Sequence, residues 1–345
     1  MKNLMILCAI STVFCFISCN KEQVSIEPTS TPKQLVTKAN SQKNLVTTVY
    51  VETNDVNPLN AMDYFINDER YYYDIVELFA SNIHKKTNGN TVEPTLYLND
   101  KLTPVLENGG AATYVAPLQS ARIKVLLTVL GDWQHIGLAN MNATQQKQFA
   151  NLLAWAVYKY GLDGIGYDDE YADYKGALVP GSYGNIISYT RQLIGNNKYL
   201  TVFDWGNTNQ ISSSDAAKVN YIYHGYFGSY MTMAYSGIAG TTSAQWFPYS
   251  LNLGNYYNTT TVQANAASAV SNRYAGIMNF NLRRSSDVDP LPVLQAIATG
   301  AGWGTVTRSG GDRPRDAGSV PSGYEITNSM AKAGLAAAGK PYFNI

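Results

Sequence analysis

Apolar runs of strand length recur along this chain, separated by stretches of helical spacing or by loops. Residues 123–130 (Ile-Lys-Val-Leu-Leu-Thr-Val-Leu) are almost continuously apolar, as expected of a strand covered on both faces. The clearest helix follows. Phe149, Leu152, Leu153, Ala156, Val157 and Tyr160 fall at helical spacing, with Asn142 or Thr144 available as N-cap and Gly161 as C-terminal stop. It delivers the chain directly into a second apolar strand at 162–168. A β-branched run at 45–52 suits a first strand. At 74–83 the apolar positions Ile75, Val76, Leu78 and Phe79 fit helix and strand alike. Residues 96–98 read as a short extended piece and 100–107 as a brief helix.

Further strands are expected at 199–205, at 220–226 with Ile222, His224 and Tyr226 on one face, at 246–253, and at 276–282 with Asn279 and Asn281 on one face. Helices are expected at 182–194, 260–273 and 289–299. With 74–83 taken as a strand, on a resemblance given below, eight strands with helical crossovers predict an α/β chain forming a single (β/α)₈ barrel over residues 44–300. Two crossovers depart from the pattern: 212–218 is barely two turns, and 227–245 shows no helical period. No internal repeat is visible. Residues 301–345 form a C-terminal extension, Gly/Arg/Ser-rich at first and helical at 326–338.

The chain is organised around the stretch from Tyr160 to Tyr171. A helix stop at Gly161 leads into an apolar strand that ends in Asp168, Asp169 and Glu170. Side chains alternate along a strand, so Gly164, Gly166, Asp168 and Glu170 share one face. Two glycines followed by two acids on one side describe a strand with room beside it and chemistry at its C-terminal end, where the active sites of such barrels lie. An acidic triplet can also be a solvated loop, but strict alternation after an apolar strand favours a site.

Composition narrows the partners. Charged residues are only 14% of the chain, and Lys+Arg 25 balances Asp+Glu 25, so no net field favours nucleic acid or an anionic membrane. Tyrosine is abundant at 26, with five tryptophans. Such rings pack in cores and also suit sugar faces, and composition does not separate the two. The three cysteines, Cys8, Cys15 and Cys19, all lie in the first residues. There Lys2 precedes an apolar run from Leu4 to Ile17, too short to span a bilayer. Residues 1–18 resemble a bacterial lipoprotein signal with a relaxed lipobox ending at Cys19; a plain secretory signal is the alternative. Cleavage before Cys19 would leave one cysteine, to be lipidated, and no disulfide framework. Residues 19–43 read as a flexible tether. These features predict a lipid-anchored outer-membrane protein whose only link to the membrane is the anchor.

The segment Leu162-Asp-Gly-Ile-Gly-Tyr-Asp-Asp-Glu170 resembles the strand-four signature of glycoside hydrolase family 18, Asp-Gly-x-Asp-x-Asp-x-Glu. It is most similar to the endo-β-N-acetylglucosaminidase branch of H and F type, which cuts the chitobiose core of N-glycans. There, as at Lys159-Tyr-Gly161, the signature follows a Lys-Tyr-Gly helix end. Residues 123–131 resemble the third strand of that branch, Phe79-Ala-Ser-Asn-Ile83 the second, and Tyr226-Phe-Gly228 the end of the sixth. The resemblance implies substrate-assisted, retaining hydrolysis, an exception to the two-carboxylate rule in which the sugar's 2-acetamido oxygen is the nucleophile. It assigns Glu170 as acid/base, Asp168 as the anion that orients the acetamide N–H, and Tyr226 as the hydroxyl holding the acetamide carbonyl. Two residues of strand separate the two acids by roughly 7 Å at Cα. No metal or organic cofactor is implied; the partner is an N-glycan or other GlcNAc-containing oligosaccharide, and the protein is expected to be a monomer.

Two positions depart from the signature. Gly166 stands where the family has the first Asp of the inner pair, which shares a hydrogen bond with the next and helps set its charge. An aspartate restored at Gly166 is expected to keep or raise activity, provided the pocket has not closed around it. His224 stands where the branch often has Asn, and fits a substrate contact and a polar wall residue equally. Trp133, Gln134, Asp204, Trp205, His224, Asn279 and Asn281 are the candidate sugar contacts by strand position. His84 and His135 are isolated, and no His/Asp spacing suggests a metal. Two other readings are a chitinase of the same family and a surface glycan-binding lipoprotein on a decayed barrel. Retention of Glu170 favours the enzyme.

Overall fold

The computed structural model describes residues 43–283, 288–310, 313–315 and 317–345; the signal, Cys19 and nearly all of the tether lie outside them. Eight parallel strands form a nearly closed barrel. They are β1 (Val46–Glu52), β2 (Ile75–Asn88), β3 (Lys124–Gly131), β4 (Gly164–Tyr167), β5 (Tyr199–Asp204), β6 (Tyr221–His224), β7 in two pieces (Trp246–Phe247 and Ser250–Asn252) and β8 (Gly276–Phe280). β1 lies between β2 and β8, with Tyr50 level with both Glu77 and Phe280. The first piece of β7 pairs with β6 and the second with β8. The break falls at Pro248-Tyr249, where proline has no N–H to give to a ladder.

The ambiguous run at 74–83 is strand. β2 continues past the barrel wall to Asn88, turns, and returns as the antiparallel strand Thr91–Leu98, so the 96–98 run belongs to a hairpin outside the barrel. The longer helices are α1 (Ala143–Lys159), α2 (Ser182–Ile194), α3 (Thr259–Ser271), α4 (Leu291–Ala301) and α5 (Asn328–Ala337). α1 starts with a full capping box: the Asn142 side chain accepts from the Thr144 and Gln145 amides, and the Gln145 side chain accepts from the Asn142 amide. It stops at Gly161, whose φ of 65° only glycine adopts freely, and the chain turns straight into β4. The two thin crossovers are thin in the structure too. One turn of helix, Ser213–Ala216, joins β5 to β6, and two 3₁₀ turns join β6 to β7.

Strand alternation fills the barrel with large rings. Tyr50, Phe203, Tyr223, Phe247 and Met278 form one buried cluster. Tyr223 lies edge-on to Tyr50 at 5.6 Å and to Phe247 at 4.8 Å between ring centres, geometries that aromatic quadrupoles favour. At the N-terminal end, the buried Lys43 gives hydrogen bonds to Thr47 Oγ1 and to the Tyr72 carbonyl, both 2.6 Å, and pairs with Asp74. Burial lowers its pKa to about 8, even against the Asp74 charge that opposes the shift.

The C-terminal extension is built into the outside of the barrel. Val306–Arg308 pairs with Tyr64–Ile66, and Tyr324–Ile326 adds to the hairpin strand Thr91–Leu98. α5 packs so closely on α1 that a Cβ on Gly334 would meet the Trp155 ring at 2.4 Å. The buried Asn151 of α1 joins this layer: its amide donates to Asn328 Oδ1 (3.2 Å) and the Phe343 carbonyl (2.9 Å), and its oxygen accepts from the Phe343 amide (2.8 Å). Asn151→Ala should therefore lower unfolding stability by about 1–3 kcal/mol, read as a shift in urea midpoint, with activity retained because α1 flanks the barrel away from its mouth. An unchanged midpoint would mean the extension contributes no stability.

Candidate active site

The three acids after β4 go to three different places. The Asp168 amide bonds the Val129 carbonyl (3.0 Å), which carries the β3 ladder one residue beyond Tyr167. Strand alternation then points its side chain inward, above Gly166. It is buried, and among the described residues its Oδ1 has no hydrogen-bond partner. Asp169 turns outward. It accepts from Tyr174 Oη and, at 2.8 Å each, from the amide and the side chain of Asn207, which ties the loop after β4 to the loop after β5. Gly206 makes that approach possible, since any Cβ there would lie 2.4 Å from the Asp169 carbonyl oxygen. Glu170 is half-buried at the barrel mouth, its carbonyl accepting from the Gly131 amide (2.9 Å).

Burial pushes all three carboxyls above the ordinary carboxylate range. For Asp168 the shift is large, with the charges of Glu170, Asp169 and Glu77 adding to burial. Glu170 is raised by burial. Asp169 is raised by burial against the hydrogen bonds from Tyr174 and Asn207. Glu170, raised by burial at the mouth, thus follows two residues after a buried carboxyl that has one oxygen unpartnered among the described residues.

The barrel rim carries exposed aromatics. Trp133, 62% exposed, lies 5.8 Å from the Tyr171 ring, with Gln134 half-buried beside it. Trp205 meets Tyr226 edge-on at 5.2 Å, and His224 lies 5.6 Å from the same ring. His224 contacts Ser229 Oγ at 2.7 Å, and burial lowers its pKa. Asp204 accepts from Thr208 Oγ1 (2.7 Å) and is raised by burial. Asn281 is also at the rim, 3.5 Å from Asn252 Oδ1 and accepting from Arg283 Nε.

Two positions differ from the expected strand faces. Asn279 is fully buried in the wall, where it accepts from Tyr73 Oη (3.3 Å) and donates to the Met278 carbonyl (3.2 Å). Met278, its neighbour, is the residue that faces the interior cluster, so alternation turns Asn279 away from the mouth. β6 ends at His224, and Tyr226 lies beyond it, 61% exposed on the rim. The tyrosine of β6 that faces the interior is Tyr223.

One interior residue escaped the sequence reading. Glu77 of β2 is completely buried and reaches across the barrel to β3, β5 and β6. Its signal was an acid between the apolar residues Val76 and Leu78 of the run at 74–83, on the face opposite them. It also answers the question at Gly166: a Cβ there would lie 1.9 Å from Glu77 Oε2. The pocket has closed around Gly166, and an added aspartate has no room while Glu77 stays in place.

Comparison with known proteins bears on what this arrangement is for. No protein-family model matches the chain. Endo-β-N-acetylglucosaminidase F1 of Elizabethkingia meningoseptica is 30% identical over 298 residues, covering 81% of this chain and 84% of that protein. The chain belongs to the endo-β-N-acetylglucosaminidases of glycoside hydrolase family 18. An endo-β-N-acetylglucosaminidase of Flavobacterium sp. (strain SK1022) is likewise 30% identical, over 76% of this chain and 82% of that one. Among solved structures, Bacteroides thetaiotamicron EndoBT-3987 with its Man5GlcNAc product superposes with a TM-score of 0.65 at 23% identity. That match covers 81% of this chain, which spans 65% of EndoBT-3987's length, and it speaks to the fold alone.

For this endo-β-N-acetylglucosaminidase the buried Asp168 has a measurable signature. Its folded pKa lies above the unfolded one, so the stability it contributes is fully present below about pH 4 and is lost as pH rises through the folded value. Asp168→Asn, which cannot ionise, should therefore unfold at higher urea than wild type at pH 8, with the gap closing toward pH 4. A gap independent of pH would show that Asp168 is not desolvated.

Proposed function

We propose that the protein is an endo-acting hydrolase of the GlcNAc-β-1,4-GlcNAc core of N-glycans, working by substrate-assisted retention. The observation that carries this reading is the pair closing β4. Asp168 is buried with one oxygen unpartnered among the described residues, and Glu170, two residues on, is half-exposed at the mouth and raised by burial. In this reading the protonated Glu170 gives its proton to the glycosidic oxygen as the C1–O bond breaks. The substrate's acetamide oxygen attacks C1 from the opposite face, and Asp168 accepts from the acetamide N–H and balances the charge of the oxazolinium. The Glu170 carboxylate then takes a proton from water as that water opens the ring, so C1 keeps its configuration.

The rim supplies the sugar platform. Trp133 with Tyr171, and Trp205 with Tyr226, are exposed ring pairs at the rim, and Gln134, Asp204, His224 and Asn281 are the polar groups of the same rim. We assign the acetamide carbonyl to the Tyr226 hydroxyl, whose ring is exposed and which no hydrogen bond holds within the described residues. The relatives at 30% identity are endo-β-N-acetylglucosaminidases, which favours the N-glycan core over chitin here; EndoBT-3987, similar in fold, has been crystallised with a Man9GlcNAc2Asn substrate and a Man5GlcNAc product.

The same reading makes the chain a monomeric lipoprotein of the outer membrane. The described chain enters the barrel at Lys43, at the N-terminal ends of the strands, whereas the carboxylates lie at the C-terminal ends. Cys19→Ala should leave the membrane fraction on cell fractionation, because the polar tether adds no membrane affinity of its own; a variant that stays bound would remove the anchor.

The reaction is tested with a soluble chain lacking residues 1–42 and an N-glycosylated protein, by mass analysis of both products. The expected result is released glycan with one GlcNAc left on asparagine, abolished in Glu170→Gln while glycopeptide binding persists. If wild type and Glu170→Gln bind equally and neither cuts across a broad pH range, the protein is a glycan-binding barrel instead.

A further inference from the structure

Glu77 sits in the barrel interior with no cationic partner among the described residues. Its Oε2 accepts from Thr128 Oγ1 of β3 (2.8 Å), and its Oε1 accepts from Thr201 Oγ1 of β5 (2.6 Å) and from Tyr223 Oη of β6 (2.9 Å). Tyr223 is held in turn by Thr48 of β1 at 3.3 Å. Taking a carboxyl out of water costs several kcal/mol unless it is satisfied, and an apolar side chain would serve the barrel core better. A stability role does not account for it. Its surroundings point instead to a role in the site. Three hydroxyls aim at it, from β3, β5 and β6, and of the strands that follow β2 this far around the barrel only β4 sends none.

β4 is the exception because its position in this layer is Gly166. Thr128 of β3 and Thr201 of β5 are the register partners of Gly166, and both give their hydroxyls to Glu77. The Glu77 carboxyl thus ends against the backbone of β4, with Oε2 at 1.9 Å and Cδ at 2.9 Å from the point where a Gly166 Cβ would stand. That is the root of the side chain which, in the family signature, bears the carboxyl of the first aspartate of the inner pair. One layer above is Asp168, whose environment includes the Glu77 charge.

We propose that Glu77 is the positioning carboxyl of this active site, reaching from β2 into the place that the signature gives to an aspartate on β4, and that it sets the orientation and charge of Asp168. The glycine and the glutamate form one exchange: the carboxyl moved to another strand, and Gly166 is the space it needs. The proposal rests on the reading of Asp168 as the anion beneath the oxazolinium. The Glu77 charge is among those that raise Asp168. Glu77 has three donors for its charge, while Asp168 Oδ1 has none among the described residues until substrate brings an N–H. Burial raises Glu77 against those hydrogen bonds.

The test compares Glu77→Gln, Glu77→Ala, Gly166→Asp and the double variant Glu77→Ala/Gly166→Asp with wild type, using kcat and KM on one N-glycopeptide and urea midpoints for folding. Glu77→Gln should lower kcat about 10–100-fold with little change in KM, the size expected for a group that acts through another. Gly166→Asp alone should lose at least as much, because two carboxyls then compete for one space. The double variant should recover kcat to within a few-fold of wild type, which a merely structural glutamate would not allow. Wild-type kcat in Glu77→Gln overturns the proposal, as does a folded double variant no faster than Glu77→Ala; if the double variant does not fold, Glu77→Gln decides alone. A wild type that cuts no glycopeptide overturns the reading of Asp168, and this proposal falls with it.

Discussion

A carboxyl inside a β-barrel has to find its hydrogen bonds within the barrel, and much of this interior is arranged to meet that requirement for Glu77. Thr128, Thr201 and Tyr223 give it three donors from three strands. Gly166 gives it space that no other residue could. Tyr223 is fixed between Glu77 and the rings of Tyr50 and Phe247, so the polar centre and the aromatic packing are one unit. Asp168 stands on top of this unit, and the Glu77 charge is part of its environment.

The site then divides its acids by environment. Asp169, bonded to Tyr174 and Asn207, braces two loops. Asp168 is buried with one oxygen unpartnered among the described residues, and Glu170 is half in solvent. Three carboxyls in successive positions come to differ because a strand alternates its faces and then ends. The rim aromatics Trp133, Tyr171, Trp205 and Tyr226 stand on the loops that follow β3, β4, β5 and β6, at the end of the barrel where active sites lie.

The barrel was readable wherever one pattern dominated. The run at 123–130, the helix ending at Gly161 and the strand leading to Asp168 all have a single period, and they fold as that period implies. The run at 74–83 did not, because four apolar residues with a polar one among them suit both helix and strand, and only the neighbouring strands β1 and β3 decide. The seventh strand was seen but not its break, which depends on Pro248 facing a ladder the sequence does not display. Tyr226 was placed on a strand that stops two residues earlier. Asn279 was given the wrong face for a similar reason: which set of alternating residues points inward is settled by the barrel's closure, not by the strand alone. Glu77 escaped because its meaning is relational. A lone acid in an apolar strand becomes legible only when the glycine facing it, two strands away, is known.

The central claim is that a single acid/base and the substrate's own acetamide cleave the chitobiose core with retention. The most direct test is proton NMR of the reducing end formed in the first minutes from an N-glycopeptide, before mutarotation. The account predicts the β anomer first, decaying to the equilibrium mixture. Initial appearance of the α anomer would require inversion by a second carboxylate acting on water, and would contradict it.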